Sequence, residues 1–462
     1  VPIVPLLDVG EGYKSRTVSA QRRVNLYVEI QSTPDKSSIV MYGTPGLTQA
    51  IDFGTAPVRG AWAVGTYAYI VAGSLFYKVS PNGSFTWNGT LATSGGRVSM
   101  SDNGTQVIIV DGTAGYLFNL TTLVFSTITD LNFPNGASSV CFLAGYFIVN
   151  KAATGQFWWS NVYDGATWNA LQFATAESNP DDLVAVSADH GVLYLLGVKT
   201  TEFWAPSGDT AVWRRVGGAG IEWGLAAPWS FDRFMDHEIF LAKNRMGQYQ
   251  VVVLQGYTAT SISTPEVTQS MNQQTSISGA SGYSYMLDGH PFYQINFPAK
   301  SYLYDGLSNA WSEVSSNGGR HFGELRFSFQ DKPYVADYRN GLVYLVDAAV
   351  YTDNGTAIVR EWETKHVFHD LDRLSVYEFQ VEFEPGVGLV TGQGSDPQAM
   401  LQISRDGGAT WGAELWSSIG MMGAYIKRVI WRRLGRARDF VFRVRVSDPV
   451  KVVIVNALLK VG

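Results

Sequence analysis

The sequence predicts an all-β fold: a β-propeller of six or seven blades, preceded by an N-terminal arm and followed by a C-terminal β-sandwich. Three observations carry this prediction. Charged residues make up only 16% of the 462 positions, against roughly 25% in an average soluble domain, while Gly (48), Tyr (23), Phe (24) and Trp (14) abound. From about Pro57 to Asp347, short apolar or aromatic runs are broken about every six to twelve residues by Gly, Asn-Gly or Asp-Gly. After Asn354-Gly355 the runs become longer and more regular.

Residues 1–50 are expected to form the arm and a first strand, because Pro2, Pro5 and a polar stretch precede the strand-like "RVNLYVEI". Residues 51–355 are assigned to the propeller. Segments such as "YAYIVAGSLFYKVSPNGSFTW" (67–87), "VLYLLGVKTTEFWAP" (192–206) and "KPYVADYRNGLVYLV" (332–346) each read as strand, turn, strand. Their spacing gives roughly 40–50 residues per four-stranded unit, the size of a propeller blade. A large sandwich or a β-helix produces similar local patterns, but radial closure has the advantage of protecting sheet edges. Residues 356–462 are assigned to the sandwich on "SVYEFQVEFEPG", "AMLQISRDGG", "YIKRVIWRRLG", "DFVFRVRVSD" and "VKVVIVNALLKV".

Charge is unevenly distributed. Residues 427–445 hold eight basic residues and one acidic one, a local +7 within a chain of formal charge −6, so the remainder carries −13. Most of the molecule repels nucleic acid and one segment does not. Cys141 is the single cysteine, which excludes an intrachain disulfide and a thiolate metal cluster; its apolar neighbours "SSVCFLAGYFIV" predict an inert core thiol. Val1 is not followed by a charged leader and no apolar run nears the roughly 18 residues of a membrane span, so the expectation is a chain that folds in the cytoplasm where it is made. Of the Asn-x-Ser/Thr triplets at Asn82, Asn88, Asn103, Asn119 and Asn354, four are Asn-Gly, which reads as turn chemistry.

The stretch "SRDGGATW" is a Ser-x-Asp-x-Gly-x-Thr-Trp signature that recurs in sialidases and other carbohydrate-active propellers. Looser echoes stand at "SNVYDGATW" (160–168) and "LYDGLSNAW" (303–311). A sialidase needs three arginines on a carboxylate, a tyrosine with a glutamate partner and an acidic proton donor, and nothing linear shows that set. Ser404, Asp406, Gly408 and Trp411 are therefore read as a structural turn: Asp406 accepts backbone N–H bonds and Trp411 covers the hairpin. Glu177, Asp181 and Asp182 beside Pro180 read as a loop cluster. His366 and His369, near Asp370 and Asp372, are three apart, which on a strand sends them to opposite faces and argues against a metal site. No catalytic residue, metal or cofactor is expected.

In "FVFRVRV", Arg443 and Arg445 fall on one face of a strand and Phe442, Val444 and Val446 on the other. With Lys427, Arg428, Arg432, Arg433, Arg436 and Arg438 they form the candidate interface, with Trp431 as an apolar anchor. Three roles are open: contact with phosphate, contact with an acidic surface of a neighbouring subunit, or a solvated edge that blocks aggregation.

Taken in order, "SAQRRVNLYVE" (19–29), "FATAESNPDDLVAV" (173–186), "HGVLYLLGVKTTEFWAPSGD" (190–209), "GGAGIEWGLAAPWS" (217–230) and "WRRLGRARDFVFRVRVSDPVKVVIVNALL" (431–459) resemble the packaged-DNA stabilisation proteins, the tail hub or nozzle proteins, of short-tailed bacteriophages. Val28-Glu29 after "NLY" is a minor departure. The resemblance implies a structural virion protein of the tail, added below the portal after packaging. It further implies a homo-oligomeric ring, a hexamer, that docks on a portal or adaptor ring, meets other tail proteins such as a fibre or needle, and retains DNA while continuing its exit channel. No enzymatic residue and no cofactor carry over. The rival reading is a tail-associated propeller that binds or cleaves glycans, prompted by the Asp-Gly turns and the aromatic content.

Overall fold

The structure, a computed structural model, describes residues 2–32, 36–176, 181–208, 211–370 and 372–462. Seven antiparallel sheets succeed one another as propeller blades. The first is built from Val58–Val64, Tyr67–Ala72, Leu75–Val79 and Phe85–Thr90; the second, third and fourth run from Ser99–Asp102 to Phe125–Thr127, from Val140–Leu143 to Asp164–Thr175, and from Leu183–Asp189 to Trp213–Arg215. In the fifth the inner strand is split, and Trp223–Leu225 and Asp232–Phe234 both pair with His237–Asn244. The sixth spans Ser281–Leu287 to Ala310–Val314. The seventh takes Gly323–Phe329, Lys332–Asp337 and Leu342–Asp347 and receives its outer strand, Gly46–Asp52, from far upstream. Gly323–Phe329 packs on Val58–Val64, which closes the ring.

Burial in the propeller is divided among cores that lie between successive blades. Val71 and Phe76 of the first blade meet Ile109 and Phe118 of the second, and Ile108 and Val110 of the second meet Phe147 and Val149 of the third. Cys141 sits in the next core with Ile148, Leu193 and Trp213; burial pushes its thiol well above the ordinary range, so it is an inert apolar filler. The Asn-Gly pairs divide in role. Gly83, Gly104 and Gly355 take positive φ in turns, but Gly89 lies inside Phe85–Thr90 at a register shift, where a Cβ would meet the Phe125 ring. The turn reading of Asn88 is thereby corrected to a bulge. Asn119 closes its own turn, accepting from the N–H groups of Thr121 and Thr122 at 2.9 and 2.8 Å.

One helix occurs among the described residues, Pro265–Asn272, between the fifth and sixth blades. Thr264 is its N-cap, Pro265 begins it without needing an N–H partner, and Glu266 stands in its first turn. It buries Val267 and Met271.

The C-terminal sandwich has two sheets over one continuous core that includes Phe379, Leu401, Phe440, Phe442 and Leu459. The first sheet is ordered Leu26–Ile30, Ile39–Gly43, Val453–Val461, Leu374–Phe383, Val429–Ala437, with Ile3–Pro5 added on Val453–Val461. The second is ordered Arg22–Val24, Arg360–Glu363, Asp439–Val446, Gln398–Ser404, Leu415–Ser418. Arg22–Val24 also pairs in parallel with Ala310–Val314, so the sixth blade and the second sheet form one hydrogen-bonded surface. The N-terminal segment is therefore a seam: its early strands join the sandwich and its last one completes the propeller.

Candidate assembly interface

The basic segment does not form one patch. Arg438 alone separates Val429–Ala437 from Asp439–Val446, and at that point the chain crosses from one sheet to the other. On Asp439–Val446 the apolar side chains of Phe442, Val444 and Val446 enter the core, which leaves Arg443 and Arg445 on the opposite face. The register sets Glu363 directly across from Arg443 and Glu361 across from Arg445. Arg443 donates to Glu363 at 2.8 Å and Arg445 to Glu361 at 2.8 Å. Arg22 joins the network through Glu313 at 2.7 Å and Glu361 at 2.9 Å, and Arg16 reaches the fully buried Glu363 at 2.6 Å. Both arginines of this strand are thus paired within the molecule, Arg443 mostly buried and Arg445 about one-third exposed.

Val429–Ala437 is the free edge of the first sheet. Trp431 is not an exposed anchor: it is 5% exposed, lies over Phe379 with ring centroids 5.8 Å apart, and donates its indole N–H to the Leu415 carbonyl. A bulge explains the change of face, because the pairing slips between Arg432 and Gly435 and Arg433 takes φ 61° there. The remaining cations point to solvent. Arg432 pairs with Glu378 at 2.8 Å and Arg436 donates to the Arg373 carbonyl at 3.3 Å. Lys427, Arg428, Arg433 and Arg438 are exposed and have no ion pair among the described residues. Cations along a bulged edge also oppose strand addition by another chain.

The "SRDGGATW" turn joins Gln398–Ser404 to Leu415–Ser418 and is saturated by its own atoms. Asp406 Oδ1 accepts from Thr410 N at 2.9 Å and from Ser404 Oγ at 2.7 Å, and Ser404 Oγ accepts from Gly408 N at 2.7 Å. These bonds, that from the Thr410 hydroxyl first, hold the Asp406 carboxyl down at about 2. Gly407 and Gly408 both have positive φ. Trp411 reaches beyond its hairpin, covering the Arg443 guanidinium at 3.8 Å from its ring centroid. The Gly408 carbonyl accepts from Arg16, so the turn, the N-terminal segment and the arginine network are tied together. The two echoes use the same chemistry: Asp164 accepts from Ala166 N and Asp305 from Leu307 N.

The other candidates also have structural work. Glu177 lies outside the described residues; Asp181 accepts from the N–H groups of Lys199 and Thr200 at 2.7 and 2.8 Å. His366 is held between the Asp439 carboxylate and the Arg16 carbonyl. Among the described residues no group of three or more His, Cys, Asp or Glu is arranged to hold a metal ion. Sequence reasoning missed the charged cleft of about 740 Å³ between the sixth blade and the sandwich, walled by Arg22, Lys300, Glu313, Glu361 and Arg445. It also missed Glu266, which burial and the nearby Glu313 and Glu11 carboxylates push up to about 7. Nothing local marks these residues, because their neighbours come from distant strands.

Fold and charge distribution together define the class: a seven-bladed propeller stitched to a β-sandwich, with internally paired charge at the seam and unpaired cations on one free sandwich edge. The chain belongs to the bacteriophage P22 Gp10 family, whose β-propeller model matches residues 5–351 and whose β-sandwich model matches residues 359–462. It is 23% identical over 440 residues to the tail hub protein gp10 of Salmonella phage P22, covering 88% of this chain and 87% of that protein. Two similar solved structures are more distant. The extracellular domain of the putative hybrid two-component system BT4673 of B. thetaiotaomicron gives a TM-score of 0.46 at 8% identity, covering 74% of this chain and 45% of that one. The Pan2 WD40 domain of Neurospora crassa gives 0.43 at 9% identity, covering 66% and 96%.

Proposed function

We propose that this protein, a structural tail hub protein of a bacteriophage virion, works without enzymatic activity by closing into a ring of identical subunits, a hexamer, below the portal or its adaptor. The ring retains packaged DNA, continues the exit channel and carries later tail parts such as a fibre or needle. The observation that carries this reading is the match of both domains, over nearly the whole chain, to the family of the P22 tail hub. The unpaired cations on the free edge, Val429–Ala437, support a contact surface with a neighbouring subunit or adaptor. The charge of −13 outside the basic segment supports a conduit along which DNA slides without sticking. The glycan reading loses its ground in the turn that prompted it, since the Asp406 oxygens are engaged within that turn.

Native mass measurement of the assembled protein is the direct test. Replacing Arg432, Arg433, Arg436 and Arg438 together with Ser is expected to weaken ring or adaptor assembly while the subunit still folds; unchanged assembly would remove this edge from the proposal. Duplex DNA is expected to bind weakly at physiological salt, and tight binding with a steep salt slope would overturn the low-friction conduit.

A further inference from the structure

Two surfaces are left uncovered by the chain itself, one on loops of the sandwich and one where the first sandwich sheet meets the sixth blade. The first is a knob. Loops 385–394 and 419–428 pack on each other, with Gly386 against the Tyr425 ring and Gly388 against the backbone of Met421 and Met422, approaches that a Cβ would block. On the outside of this pair Val390 is 80% exposed, Tyr425 69% and Ile426 96%, and Met421 and Met422 are also exposed. Neither loop contains an acidic residue, and the second ends in the unpaired Lys427 and Arg428. A cluster of large apolar side chains in water, backed by cations, marks a contact site.

The second surface is a cleft of about 230 Å³. Tyr27 and Tyr42, stacked with centroids 5.7 Å apart, form one wall, with Tyr351 beside them. Glu29 and the exposed Asp288 bring negative charge, and neither has a Lys or Arg partner among the described residues. Glu29 stands 3.7 Å from His290, which is itself bonded to Asp305. The lysine of the cleft, Lys451, is matched by Glu384 at 2.8 Å.

Sheet order fixes where the two surfaces sit. Tyr27 and Tyr42 stand on the first two strands of the first sandwich sheet, and the knob runs directly into the last, Val429–Ala437. Four strand spacings, roughly 19 Å, separate Leu26–Ile30 from Val429–Ala437, and the cleft reaches from the first of these strands to Val453 on the third. A closed ring of identical subunits needs two different, complementary surfaces on every copy. One surface is convex, apolar and cationic, and the other is concave, aromatic and acidic.

We infer that the 419–428 loop of one copy seats in the Tyr27–Tyr42 cleft of the next. Lys427 and Arg428 face Glu29 and Asp288 there, Tyr425 and Ile426 cover the tyrosine wall, and the cleft admits one or two side chains while the rest of the knob covers its rim. This inference rests on the ring reading above and names its junction.

The test uses the full chain and charge reversal. K427E/R428E and E29K/D288K are each expected to abolish the ring in native mass spectra while retaining the wild-type circular dichroism spectrum and a cooperative unfolding transition. An equal mixture of the two is expected to reassemble into rings with equal numbers of each, because each knob then meets a cleft of opposite charge. The chain with all four substitutions is expected to close alone. Wild-type assembly by either double variant overturns the inference and leaves the ring reading intact, as does failure of the mixture to recover when both partners are folded. A wild-type chain that stays monomeric at every concentration defeats the ring reading and this junction with it. If the knob variant keeps its ring but loses binding to phosphatidylglycerol vesicles that the wild type binds, the knob serves lipid and the junction is wrong.

Discussion

Two adjacent strands, Val429–Ala437 and Asp439–Val446, share a basic composition and have opposite fates. The first is an edge strand whose arginines extend into water, and the second is an interior strand whose arginines stand across from glutamates. The difference lies in the neighbours that topology supplies. Arg360–Glu363 lies beside the second strand and brings Glu361 and Glu363 into register with its arginines. Among the described residues the outer side of the first has no partner strand, and only Glu378 from Leu374–Phe383 forms an ion pair with one of its cations. Local charge counted along a sequence is therefore a poor measure of charge presented to a partner.

The largest expected effect tests that contrast. Glu363→Ala leaves Arg443 and Arg16 facing a buried site without its carboxylate, and a loss of about 3–5 kcal/mol in denaturant unfolding is expected. Glu378→Ala removes the partly buried partner of the exposed Arg432 and is expected to cost under about 1 kcal/mol. Equal costs for the two would erase the distinction between the strands.

A second, smaller effect separates two buried carboxylates beside the seam, Glu313 and Glu266, by pH. Burial alone pushes Glu313 up, but the Arg22 hydrogen bonds and the Arg22 and Lys300 charges outweigh it and hold the carboxyl below its usual range. Its contribution to stability is present above the ordinary glutamate value and is lost as pH falls through the depressed one. Glu266 has the opposite sign: raised from 4.5 to about 7, it favours the folded state below 4.5 and loses that contribution as pH rises through about 7. Thermal unfolding followed from acid to alkali is expected to show a stability maximum between these limits. Glu266→Gln is expected to remove the decline between pH 4.5 and about 7 and raise stability by about 1–3 kcal/mol near pH 8. An unchanged decline over that range in the variant would assign it to other groups.

How far the sequence discloses all this follows from the same contrast. Hairpins are written locally, so the Gly and Asp-Gly punctuation predicts the blades and the turn at Asp406, whose bonds span only Ser404 to Thr410. The longer runs after Gly355 likewise predict the sandwich strands. Pairings between residues hundreds of positions apart leave no local mark: nothing in "GLTQAID" says that it closes the seventh blade, or in "RRV" that it joins the sixth blade to the sandwich. Trp431 is misread for a related reason, since a bulge two residues later shifts the alternation that would have placed it in the core. The helix at Pro265 does carry a signal, Thr-Pro-Glu, but its eight residues are too few to show a periodic face.

The smallest effect concerns Arg433 itself. It is held at φ 61° in the bulge, a conformation that costs a side-chain-bearing residue about 1 kcal/mol relative to glycine. Arg433→Gly relieves that cost, and a gain of a few tenths to about 1 kcal/mol in subunit stability is expected. If the exposed edge serves assembly, the same substitution removes one of its unpaired cations and weakens the ring as it strengthens the subunit, so that unfolding and native mass respond in opposite directions. A gain in both would mean that the strain and the charge at this bulge serve something other than contact between subunits. A loss in subunit stability would mean that Arg433 is held there by contacts within its own sheet, and the division between an inward-paired strand and an outward-facing one would then fail at the residue where it is drawn most sharply.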